Sequence, residues 1–464
     1  MYKILVEKKI FIFYLFISAL TTISMFLTFK YLDAQTLLAH AVTGWDAVFS
    51  GNPSSFYALK LENARDAVQP DGLLTPVAMF PIMIWSLPVW LTHTFNGNYA
   101  VSSLGCIYYY KIVLFLFTIL LAYAACSIIK YFVGEDEKEN QLLTAIFIIS
   151  SPELLLCTMY AGQDEIFYIA FMALAINSFI RKNNKWFMIW SVCAVACCDI
   201  MLAPVLALIL ISNKKFLSII LKTVVLLIPR TVWALATIGA EYKSYLEGGD
   251  TFQVSEIFNV LVMDTTTGQA SIAAIAFVLI LLYSFNLKED GDKEYMRKAV
   301  WIIASMMTVI AFLMENHFYR LFLYMPFVIV LIMISENKKI NTFMYMLIIY
   351  IRMFTGGYNS PMTLNTEYVA EGSFAQKLCD LFGSDKYNVY DCLTTKLIEK
   401  APILESLVPT MNGIAIAGIV VILYLTFKNK KKDIDIPFSR SVINGLIVFC
   451  MPVYLLLFYM LLFK

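Results

Sequence analysis

The sequence predicts an all-α, polytopic membrane protein with about 11–13 spans, each needing about 20 apolar residues. Two observations carry that prediction. Of 464 residues, 60% are hydrophobic and only 15% charged, with a mean hydropathy of +0.73; a soluble chain carries roughly a quarter charged residues. Apolar runs close to membrane length also recur along the chain, separated by short polar clusters. A net charge of +1 and the lack of a long basic tract argue against a nucleic-acid partner.

The expected spans are 10–30, 73–93, 107–131, 141–160, 165–181, 216–236, 270–287, 299–316, 319–335, 341–355, 406–427 and 441–463. The first follows Lys8-Lys9, is too long for a signal-peptide core and lacks a small-residue cleavage site. It is therefore expected to be retained, with the N-terminus cytoplasmic. Segment 73–93 contains Pro76, Pro81 and Pro88. Because proline breaks helical hydrogen bonding, and because the sidedness of later loops needs one crossing fewer, this segment is expected to be broken or re-entrant. Segment 186–212 runs between two basic clusters and is too short for two crossings. It is expected to form a short helical hairpin with Asp199 near its tip, covered by protein as irregular backbone at that depth must be.

The basic cluster Arg181-Lys182-Asn183-Asn184-Lys185 is expected to face the cytoplasm by the positive-inside rule. That puts loops 31–72, 161–165, 237–268 and 356–405 outside. No internal repeat is visible, so a single integral-membrane domain, 1–464, is expected. Seven cysteines lie in or beside apolar runs and read as packed thiols. Cys379 and Cys392 share a polar external loop, where they can pair or remain free thiols.

The segment Tyr160-Ala161-Gly162-Gln163-Asp164-Glu165 carries the strongest chemical signal. Acids at the mouth of a pair of spans are costly unless they face water, protein or a ligand. Asp33 follows the first span directly, and Asp46 lies further along the same loop, after His40 and Trp45. Glu315-Asn316-His317-Phe318-Tyr319-Arg320 precedes a late span, and Arg230 follows Pro229. Each has a structural role open to it as well. Asp33, Asp164 and Glu165 suit helix N-termini, and Arg320 can reach lipid headgroups.

The order of these motifs resembles the type C (GT-C) superfamily of glycosyltransferases, polytopic enzymes that use polyprenyl-phosphate sugars. The acid after the first span, the acidic Gly162-Gln163-Asp164 stretch, the hairpin from Asp199 to Pro204 and the His317-to-Arg320 motif carry the resemblance over about two-thirds of the chain by motif order. The hairpin departs from the pattern in having Asp199 where a lysine is common. The resemblance implies inverting transfer of a sugar, on the outer face of the cell membrane, from a polyprenyl-phosphate donor to a glycan, lipid or protein acceptor. On chemical grounds Asp33 or Asp46 would serve as base. A cation must meet the leaving phosphate, and Arg320, His317 and Arg230 are candidates, with Tyr319 beside them. Gln163, Asp164 and Glu165 would bind substrate. No cofactor is certain; Mg2+ or Mn2+ would suit an oxygen-only site at Asp164.

Two other classes fit an outward-facing polytopic chain. One is a polysaccharide polymerase or ligase, disfavoured by few arginines in loop 356–405. The other is a transporter or flippase of lipid-linked oligosaccharide. A transporter would carry charges at mid-span or two similar halves; spans 107–131, 270–287 and 406–427 carry almost no ionisable residue at their centres, and no repeat is visible.

Overall fold

The computed structural model describes residues 32–57, 80–96, 103–134, 138–237, 262–266, 268–288, 292–313, 322–359, 377 and 403–429, with scattered positions between 12 and 27. In chain order the helices are α1 (Leu32–Phe49), α2 (Phe80–Asn96), α3 (Leu104–Val133), α4 (Lys138–Ile149) and α5 (Pro152–Leu155). A π turn, Leu156–Tyr160, leads to α6 (Glu165–Ile180), α7 (Asn184–Cys197), α8 (Leu202–Ser212) and α9 (Phe216–Thr237). Strands β1 (Val262–Thr265) and β2 (Gly268–Ser271) precede α10 (Ile272–Asn286), α11 (Asp292–Leu313), α12 (Met325–Ile334), α13 (Lys338–Asn359) and α14 (Ile403–Lys428). Among the described residues, four helices are long and apolar enough to cross a membrane: Leu104–Val133, Phe216–Trp233, Lys293–Leu313 and Ser406–Lys428. The predominantly helical architecture is the one expected.

The chain divides into two compact units. One comprises Met1–Lys30, Ala125–Tyr160 and Asn316–Lys464; the other comprises Tyr31–Ala124 and Ala161–Glu315.

The second unit opens with α1, which replaces the first part of the loop expected at 31–72. Its buried positions Ala34, Leu37, Leu38, Ala41 and Val42 recur at the spacing of one helical face, and α1 packs against α2. Gly44 lets Met83 of α2 approach closely, because a Cβ there would lie 3.0 Å from the Met83 sulfur. The chain leaves α1 through Gly51, at φ 74°, a conformation glycine adopts without steric cost. A 3-10 turn, Pro53–Tyr57, follows. Helix α2 runs on through Pro88, so the part of the expected 73–93 segment from Phe80 onward is helical, while residues 73–79 with Pro76 lie outside the described residues. Pro81 sits in its first turn, where no amide partner is required, so Pro88 alone interrupts the interior ladder.

Helices α6 and α7 pack closely along each other. Their connection turns at Lys182, φ 56°, and Asn183 caps α7 by accepting from the Trp186 amide at 3.3 Å. Helix α7, a 3-10 turn at Asp199–Met201 and helix α8 occupy the segment expected as a helical hairpin at 186–212; Asp199 lies in the connection of the two helices, whose packing is against other elements. Downstream, β1 and β2 form a two-stranded antiparallel hairpin, with Thr265 opposite Gly268. It occupies the end of the stretch expected as loop 237–268 and is a small departure from an all-α chain. The first unit holds a second correction. The span expected at 141–160 is interrupted after Ile149, and α5 starts afresh at Pro152, whose ring is incompatible with a continuous ladder. Cys379 and Cys392 lie outside the described residues.

Candidate active site

The acidic stretch ahead of α6 is built on a close approach of backbone. Gly162 has φ 61°, and a Cβ at that position would lie 2.7 Å from the Ala34 Cβ. Only glycine meets both demands, left-handed backbone and no side chain. Gly162, immediately ahead of the acidic residues, is therefore held against Ala34 in the first turn of α1, the turn that contains Asp33. Gln163, Asp164 and Glu165 are all buried, and Tyr110 of α3 lies close to Gly162, with Cε1 3.9 Å from the same Cβ position. Asp164 occupies the N-cap position of α6, yet its side chain makes no capping bond there.

Asp33 itself lies in the helical first turn of α1; its side chain, like that of His40, is outside what the structure describes. Asp46 stands thirteen residues further on, roughly 20 Å along α1 at the α-helical rise. The two acids considered for a single role thus occupy opposite ends of one helix. Asp46 is exposed, and its Oδ1 accepts a hydrogen bond from Trp90 Nε1 at 2.6 Å.

The end of α7 adds a third component. Cys197, the last residue of α7, is buried. Two residues later Asp199 forms an ion pair with Arg230 of α9. Helix α9 packs against α7 and against the Pro53–Tyr57 turn. Pro229 precedes Arg230 inside α9 and weakens the helical ladder there. Asp199 is more exposed than Arg230, so the pair keeps contact with solvent.

Gln163, Asp164, Glu165 and Arg230 therefore belong to one compact unit together with the first turn of α1, whereas Asp46 marks the other end of that helix. His317, Tyr319 and Arg320 lie outside the described residues. Among the described residues no group of three or more His, Cys, Asp or Glu side chains gathers in a metal-binding arrangement.

Lys111 and Glu153, buried ionisable residues, were not among the residues the sequence pointed to. Lys111, near the start of α3, is fully buried; its signal was a lone lysine inside an otherwise apolar run. In the first unit, Glu153 of α5 is 2% exposed. It accepts hydrogen bonds from Tyr324 Oη at 3.1 Å and Tyr345 Oη at 3.0 Å. Its signal was a carboxylate next to Pro152 in the middle of a hydrophobic stretch.

Compared with protein-family models, curated proteins and solved structures, the chain matches none of them.

Proposed function

We propose that the protein is a membrane glycosyltransferase of 11–13 crossings in all. It transfers a sugar from a polyprenyl-phosphate donor to an acceptor hydroxyl on the extracytoplasmic face of the cell membrane. The observation that carries this reading is the contact of Gly162 with Ala34, which unites the acid-bearing turn of α1 with the buried Gln163-Asp164-Glu165 stretch. An inverting transferase needs such a pairing: one carboxylate to take a proton and further polar groups to hold the reacting sugar.

In this mechanism Asp33 removes the proton of the acceptor hydroxyl. The acceptor oxygen bonds to the anomeric carbon of the donor as the bond from that carbon to the phosphate oxygen breaks. The electron pair leaves with the polyprenyl phosphate, and configuration inverts. Asp164, with Gln163 and Glu165, orients sugar hydroxyls. Arg230, steadied by Asp199, meets the charge that grows on the phosphate. A general base supplies about 10²–10⁴ of the acceleration. No step is assigned to a divalent ion.

The test is transfer of labelled sugar from a panel of polyprenyl-phosphate donors to membrane acceptors, using the purified full chain. Asp33→Asn and Asp164→Asn are expected to abolish transfer while the protein remains folded, and Asp46→Asn is expected to retain the chemical step. No transfer from any donor by the wild-type chain, together with passage of lipid-linked oligosaccharide across reconstituted vesicles, would replace this reading with a transporter.

A further inference from the structure

Beside Asp46, at the end of α1 remote from Asp33, three aromatic rings form a fixed surface. Phe49 is 60% exposed and lies flat on the Trp90 ring, with centroids 4.5 Å apart and planes 13° from parallel. Trp45 leans on both, at 5.6 Å from Phe49 and 6.4 Å from Trp90. Both indole N–H groups are committed within the protein: Trp45 donates to the Met83 carbonyl at 2.6 Å and Trp90 to Asp46 Oδ1 at 2.6 Å. Asp46 and Phe49 are one helical turn apart and share a neighbour in Trp90. A carboxylate with one oxygen anchored therefore stands next to an exposed aromatic ring, on a crossing of two helices that Gly44 and Met83 hold tight.

The geometry points to a binding subsite for a pyranose unit of an extended glycan, with Phe49 as the stacking platform and Asp46 as the acceptor of its hydroxyls. The inference rests on the transferase reading for the source of that glycan. A pyranose offers an apolar C–H face to a ring and several O–H donors at its edge, which matches an aromatic surface flanked by an acceptor-only group. A lipid-interface aromatic makes the opposite arrangement, with an apolar body toward the hydrocarbon and its N–H toward headgroups. Here both N–H groups are taken up by acceptors of the protein itself, and the exposed polar group beside the ring is a carboxylate, which repels acidic headgroups. The separation of roughly 20 Å from Asp33 spans several sugar residues, so the subsite grips a glycan away from its reacting end. This gives Asp46 a role distinct from that of the base.

Intrinsic tryptophan fluorescence of the detergent-solubilised full chain tests the subsite without any turnover. Methyl β-D-glucopyranoside, methyl β-D-galactopyranoside and methyl α-D-mannopyranoside are titrated singly. At least one is expected to give a saturable change, lost in Phe49→Ala and weakened about tenfold or more in Asp46→Asn, the value of a hydrogen bond to a charged group. In the transfer assay, Asp46→Asn is expected to raise KM for glycan acceptors of several residues more than it raises KM for a monosaccharide acceptor. An equal rise for the monosaccharide would place the subsite at the reacting sugar and overturn the distal assignment. No saturable change with any glycoside, or equal binding by both variants, would overturn the subsite. A saturable response to choline chloride alone would overturn it in favour of a cation site. If transfer is never observed but glycoside binding behaves as expected, the subsite stands and the transferase reading falls. If Asp33→Asn abolishes transfer while no glycoside binds, the reverse holds.

Discussion

Gly162 stands so close to Ala34 that a Cβ at residue 162 would lie 2.7 Å from the Ala34 Cβ. A methyl group has no flexible neighbour there to displace, and the backbone at φ 61° already disfavours any L side chain. Gly162→Ala is expected to destabilise the fold by about 1–3 kcal/mol and to separate the acidic stretch from α1. Thermal unfolding of the purified protein, read beside sugar transfer, checks both effects. A variant as stable and as active as wild type would show that the contact is dispensable.

Glu153 in the first unit, which is almost fully buried, accepts from two tyrosines. Each of Tyr324→Phe and Tyr345→Phe removes one donor to a buried carboxylate and is expected to cost about 1.5–3 kcal/mol. The double variant is expected to lose more than the sum, because it strips the carboxylate of both donors. Unfolding free energies of the four proteins in this cycle measure the coupling, and strict additivity would contradict it.

Lys214 joins two helix ends. Its ammonium donates to the carbonyls of Leu210 at 2.9 Å and Ser284 at 3.2 Å, and to that of Phe285, so it caps the C-terminal ends of α8 and α10 at once. A cation at such ends opposes their negative partial charge. Lys214→Met keeps the aliphatic length and is expected to lower stability by about 1 kcal/mol. The deficit is expected to shrink as salt rises, since the ammonium is exposed to screening. Melting temperatures at low and high ionic strength would show it.

Arg230 offers a planar, two-pronged contact to a phosphate that lysine cannot reproduce. Arg230→Lys is therefore expected to reduce kcat/KM for the lipid-phosphate donor about tenfold to a hundredfold. Asp199→Asn, which only loosens the guanidinium, is expected to fall between that variant and wild type. Initial rates over a donor series resolve the order, and an unchanged Arg230→Lys would remove this residue from the site.

The helical character of the chain and the short helices around Asp199 were legible because hydrophobic run length and basic flanks report them directly. Helix α1 was equally legible in principle. Ala34, Leu37, Leu38, Ala41 and Val42 recur at helical spacing, but Asp33, Gln35, Thr36, His40 and Thr43 between them gave the segment the polarity of a loop. Pairings across long sequence separations were not legible. Nothing in the composition places Trp90 on Asp46, or Arg230 on Asp199, because those contacts depend on how helices cross. Glu153 was hidden for a different reason: length counting over 141–160 treats a single carboxylate as tolerable and is blind to the restart at Pro152. The pairing of Gly162 with Ala34 was half visible, since the glycine beside the acids was evident and its neighbour was not.

The tyrosines that serve Glu153 are 171 and 192 residues downstream. During synthesis the ribosome delivers the carboxylate long before either hydroxyl exists. Over that interval α5 and its π turn hold an acid whose native donors are missing, in a segment otherwise suited to an apolar environment. Completion of this part of the molecule must wait for α12 and α13 to emerge. A chain that ends before Tyr345 therefore lacks at least one of the two donors to this carboxylate, and one that ends before Tyr324 lacks both.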